Sequence, residues 1–98
     1  MMTSTSRVDV ATSFPGLASR TAGTEALAVA TDLLSELDAI ALDFQGQNPS
    51  PSFADQFVGG LVARLGLPEF RRRVKLQNLA APAQALMRHV ILSRAPRS

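Results

Sequence analysis

One six-residue run constrains this 98-residue chain more than any other segment. Ala39-Ile40-Ala41-Leu42-Asp43-Phe44 is apolar except for one acid, and Gly46, Asn48, Pro49 and Pro51 come soon after it. A short apolar run bounded by turn residues reads as a strand buried in the middle of a parallel sheet. Parallel strands cannot be joined by a tight hairpin, so such a strand requires long crossovers, usually helices. The chain is long enough for one domain and short for two. With 46% of residues apolar and 18% charged, it has the core formers that a disordered chain lacks.

The flanking sequence supplies those helices. Residues 7–11 alternate polar and apolar, as a half-exposed strand does. Phe14-Pro15-Gly16-Leu17 is turn punctuation. Ser19 then caps a helix over 19–37, striped by Ala22, Ala26, Val29, Ala30, Leu33, Leu34 and Leu37. The strand at 39–44 leads into a rigid loop, residues 45–52. A second helix, 53–65, is striped by Phe53, Phe57, Val58, Leu61, Val62 and Leu65. Ser52 and Asp55 approximate a capping box at its start. Gly59-Gly60 inside it lowers helix propensity, which fits a close approach to the sheet or to a partner. Gly66 ends this helix, and Pro68 is expected to forbid its return. Alternation from Arg73 to Leu76 indicates a third strand within residues 71–79. Pro82 opens a third helix, striped by Ala83, Leu86, Met87, Val90 and Ile91 to about Arg94. The order is βαβαβα. It predicts a single α/β domain over 7–95, with a three-stranded or slightly larger sheet, about three packed helices, and frayed ends at 1–6 and 96–98. The apolar second strand should be central. Function in such sheets collects beyond the carboxyl ends of the strands, here at residues 45–52.

Composition removes several chemistries. There is no cysteine and only one histidine, so disulfides, thiolate nucleophiles and multi-histidine metal centres are excluded; no metal or cofactor is expected. No apolar run reaches the ~18 residues of a membrane span. The first residues lack the pattern of a signal peptide, so a cytoplasmic address is the expectation. Charge is lopsided. Residues 1–56 hold two arginines against seven acids, and residues 57–98 hold eight basic side chains against one acid. Either the two halves meet as complementary surfaces, or the basic half faces an acidic partner.

Four candidates carry chemistry. Asp43, the lone acid of the apolar strand, needs a partner; it is expected to bond loop amides or to pair with an arginine such as Arg20. Ser52 is either a helix cap or a modifiable hydroxyl. Arg71, Arg72 and Arg73 with Lys75 form the densest basic cluster. Strand alternation would split it between two faces, which favours a solvated edge or an acidic protein surface over nucleic acid. His89, on the flank of the last helix, has no readable nucleophile and orienting acid around it.

Taken together, residues 40–46, then Ser50-Pro51-Ser52-Phe53-Ala54-Asp55-Gln56-Phe57, resemble the small bacterial STAS-like domain family of unknown function. The residues Leu17-Ala18-Ser19-Arg20 and Ala22 look like that family's serine-arginine element, and residues 73–79 look like its last strand. The resemblance spans roughly residues 14–92. The family is similar in outline to anti-sigma factor antagonists, non-enzymatic switches phosphorylated by GHKL-type serine kinases at the start of the helix after the central strand. The resemblance implies a regulatory, non-enzymatic interaction module and puts Ser52 at the phospho-acceptor position. Asp43, Gln45, Asn48, Ser50, Phe53, Asp55 and Gln56 would form the interaction loop. The implied partner is a GHKL-type ATPase, a serine kinase or another product of the same operon, with a homo-oligomer as a further use of any exposed apolar stripe. The alternative is nucleic-acid or nucleotide binding through the basic second half.

Overall fold

A computed structural model of the chain describes residues 5–10 and 19–94. Three strands form one parallel sheet: β1 (Thr5–Asp9), β2 (Ala39–Asp43) and β3 (Val74–Gln77), in the spatial order β1-β2-β3. The apolar run is the central strand, as its composition requires. α1 (Arg20–Glu36) connects β1 to β2. α2 (Pro51–Ala54) passes through a π-helical turn (Asp55–Gly59) into α3 (Gly60–Leu65), so that one bent helix occupies the second crossover. α4 (Leu67–Arg73) completes that crossover, and α5 (Ala81–Arg94) comes after β3. The molecule is therefore a mixed α/β domain with a three-stranded parallel sheet and, counting the continuous helix over 51–65 once, four helices among the described residues.

The strands differ from their expected bounds at the ends. Thr5 and Ser6, expected to be frayed, pair in register with Ala39 and Ile40. β1 ends at Asp9, and Val10 beyond it is fully buried. Ala11, the turn at 14–17 and the tail at 95–98 lie outside the described residues.

Alternation along β2 sorts the two faces of the sheet. Ile40, Leu42 and Phe44 enter the common core with Val74 of β3 and the inner faces of α1, the bent helix and α5. Ala39, Ala41 and Asp43 point the other way. Ala41 lies in register between Arg7 and Lys75, and Asp43 between Asp9 and Gln77. The central strand is buried along its whole length, but only one of its faces belongs to the core. The other is a row of small residues ending in an acid.

The helices depart from expectation at three points, each with a local cause. Ser19 caps α1 as expected, its hydroxyl accepting from the Ala22 amide at 3.0 Å. The second helix, however, starts at Pro51, whose fixed φ suits the first helical position. The cap is therefore Ser50, which accepts from the Phe53 amide at 3.1 Å, and Ser52 lies in the first turn. The expected Ser52 cap is corrected accordingly. Gly66, at φ +81°, breaks the chain direction, and Pro68 sits in the first turn of α4 instead of preventing a helix. The close approach expected at Gly59-Gly60 is to other helices. A Cβ on Gly60 would stand 2.7 Å from Leu27 Cδ2 of α1, and one on Gly59 would stand 3.0 Å from Arg94 Cγ of α5.

Candidate functional site at the carboxyl end of the sheet

Asp43 closes β2 and organises the turn beyond it. Its side chain is 1% exposed and satisfied on every side. Oδ1 accepts from the Gln45 amide at 2.9 Å and from Asn78 Nδ2 at 3.0 Å, while Oδ2 accepts from the Arg7 guanidinium. The Asn78 amide, the Gln45 N–H and then Arg7 together hold the carboxyl below its ordinary value, against the opposing effect of desolvation. The expected partner Arg20 is not the one found. Asp43 points to the sheet face away from α1, so Arg7 on the neighbouring strand reaches it. Arg20 instead donates to Gln56 Oε1 at 2.9 Å and lies 3.6 Å from Asp55.

The same carboxylate holds a turn that its residues would otherwise resist. Gln45 has φ +49° and Asn78 φ +56°, left-handed values that cost a side-chain-bearing residue roughly 1–2 kcal/mol. Gly46, at φ +75°, takes the third such position without that cost. Its amide donates to the Asn78 carbonyl at 2.6 Å, and the Phe44 amide to the Gln77 carbonyl at 3.0 Å. The Gln45 side-chain amide reaches the Asp9 carboxylate. All three strand ends are thereby joined around Asp43.

Beyond this junction the expected interaction loop divides. Gln45 and Asn48 are exposed, Ser50 is used as a cap, and Ser52 is exposed. Phe53 is not a surface residue: it is fully buried and meets Phe57 edge-to-face at 5.6 Å. Its place in the interaction loop is corrected, because the helix start turns it into the core. Asp55 is half-buried between Arg20 and Arg94, the latter at 3.3 Å. Ser52, Asp55 and Arg20 line a cavity of about 300 Å³ together with Leu86, His89 and Ser93 of α5. Nothing in the sequence joins His89 and Ser93 to Ser52. The readable signal is the 86, 89, 90, 93 spacing, which places these residues on one side of α5. The cavity thus gathers two hydroxyls, an imidazole and an arginine–carboxylate pair, a lining suited to polar or anionic groups.

The basic cluster is not a strand edge. Arg71, Arg72 and Arg73 occupy the last turn of α4. Arg73 turns inward and donates to the carbonyls of Leu37 and Asp38, each at 3.0 Å, and to that of Leu34. It therefore satisfies the carbonyl end of α1, where a cation is favoured by the helix dipole. Arg72 pairs with Glu69; this raises the arginine and lowers the glutamate from their ordinary values. Arg71 remains exposed beside a groove, and Lys75 remains exposed on β3. The cluster is dispersed because Arg73 turns inward to the end of α1 and Arg72 pairs with Glu69 on its own helix, not because a strand divides it between two faces.

Among the described residues no three His, Cys, Asp or Glu side chains gather as metal ligands, and no helix is long and apolar enough to cross a membrane. Comparison with protein-family models, with curated proteins and with solved structures gives no match.

Proposed function

We propose that the chain is a regulatory protein-interaction module of STAS-like type, whose working surface is the loop after the central strand and the first turns of the bent helix. The observation that carries this reading is the exposed Ser52 hydroxyl, at the start of the helix after β2, in one cavity with Arg20 and His89. A hydroxyl there is open to an enzyme, and a phosphate on it would meet the arginine. The Asp43 junction supports the reading because it fixes the chain entering that surface. A GHKL-type ATPase or a serine kinase is the partner class that this reading names, and Ser52 is the residue it would modify.

Affinity capture with the wild-type chain and with the Ser52→Asp and Ser52→Ala variants tests it. The reading expects recovery of an ATPase or kinase by wild type and by Ser52→Ala, with recovery reduced about tenfold or more by Ser52→Asp, a loss of about 1.4 kcal/mol in binding. Equal recovery by all three would remove the switch. Salt-labile retention on DNA that disappears with Arg71→Ala would replace the protein partner with nucleic acid.

A further inference from the structure

The division of charge along the sequence survives folding. Two of the ion pairs, Arg7–Asp43 and Arg20–Asp55, lie within residues 1–56, and Arg72–Glu69 lies within the remainder; Arg94–Asp55 joins the two halves. Glu25, Asp32 and Glu36 have no ion pair among the described residues, nor do Arg71 and Arg88. Arg64 and Lys75 also have none and stand apart, whereas the other five are grouped. Glu25, Asp32 and Glu36 share one outer stripe of α1 with Val29, at spacings of four, three and four residues. Arg71 and Arg88 border an apolar groove of about 400 Å³ between α4, β3 and α5, lined by Leu76, Met87, Ile91 and Leu92. Val29 is 42% exposed and Leu92 58%, the two large hydrophobics exposed among the described residues. Each charged surface therefore carries one of them.

We propose that this chain associates with itself head to tail, the acidic stripe of α1 in one copy lying on the arginine-bordered groove of the next. The two surfaces are complementary in charge and both have an apolar centre. They are also similar in length: residues 25–36 of α1 extend over ~16 Å and residues 84–92 of α5 over ~12 Å at the helical rise. One chain cannot bring them together, because the inner face of α1 is already packed on its own core. Pairing of like surfaces is opposed on both sides. Groove on groove would place Arg71 and Arg88 against arginines, and stripe on stripe would place acids against acids. The contact therefore joins unlike surfaces, stripe to groove, and closes as a reciprocal pair or a ring or extends as an open chain. Its small apolar centre makes it weak and steered by charge, so that salt controls it.

Sedimentation velocity over a concentration series, at about 0.01 M and about 1 M salt, tests this, since charge is felt over ~30 Å at the first and ~3 Å at the second. At low salt the average mass rises with concentration to at least twice the monomer value; at high salt it falls back to the monomer. The paired substitutions Glu25→Lys with Asp32→Lys, and Arg71→Glu with Arg88→Glu, each abolish association, and mixing the two folded proteins restores it. Leu92→Gln, which alters no charge, weakens it. A monomer at every concentration in low salt overturns the proposal and leaves the groove to an acidic segment of another protein. Association that survives either reversal, or a mixture that stays monomeric, also overturns it.

Discussion

At the scale of single residues, Asp43 links the fold to the candidate surface. An acid at the end of an apolar strand is tolerated because three donors from three segments surround it: Arg7 of β1, the Gln45 amide and the Asn78 side chain. Its folded-state value lies below the ordinary 3.8. A depressed carboxylate stabilises the fold at pH above its unfolded value, and that contribution is lost as pH falls through the folded value. Asp43→Asn keeps the size but removes the charge and turns an amide NH2 toward donors. The variant is expected to unfold at lower urea than wild type near neutral pH, with the difference shrinking steadily as pH falls below about 4. Paired urea titrations across that range check it; a difference independent of pH would mean that the carboxylate charge contributes nothing.

Elements are where sequence and structure agree most and where their disagreements are most instructive. The apolar run puts β2 at the centre because burial along its whole length leaves no other position in a three-stranded sheet. The 3.6-residue stripes locate α1 and α5 to within about a residue or two of their ends. The start of the bent helix is misplaced by sequence because Ser52 and Asp55 match a capping pattern, while Pro51 outranks it by fixing φ one position earlier. Ser50→Ala is accordingly expected to cost about 1 kcal/mol, and Ser52→Ala less than about 0.5 kcal/mol. Urea unfolding of the two variants separates them, and a larger loss at Ser52 would restore it as the cap. α4 is invisible in the sequence because its seven residues are too few for a periodic signal and begin beside Pro68. Arg73 reads as a surface residue because its acceptors, the last carbonyls of α1, belong to a segment more than thirty residues away. The Ser52–His89 cavity is only half legible for the same reason: each helix face can be read, but not which faces meet.

On the scale of the whole molecule, the fold places its satisfied polar groups and its unsatisfied ones in different regions. The carboxyl end of the sheet is fully bonded around Asp43, and beside it Ser52 opens into a polar cavity. The acidic stripe and the arginine-bordered groove remain unneutralised elsewhere. A molecule so arranged has surfaces to offer, and the proposed regulatory contact belongs to the one beside Ser52. Site-specific photo-crosslinking in the native cell tests that assignment most directly, with the photoreactive residue placed at Asn48, at Ser52, or at the exposed Ala63 of α3. A regulatory surface beside Ser52 predicts one and the same captured protein from positions 48 and 52, an ATPase or serine kinase, and none of it from position 63. Capture of that protein from position 63, with none from 48 or 52, would contradict it.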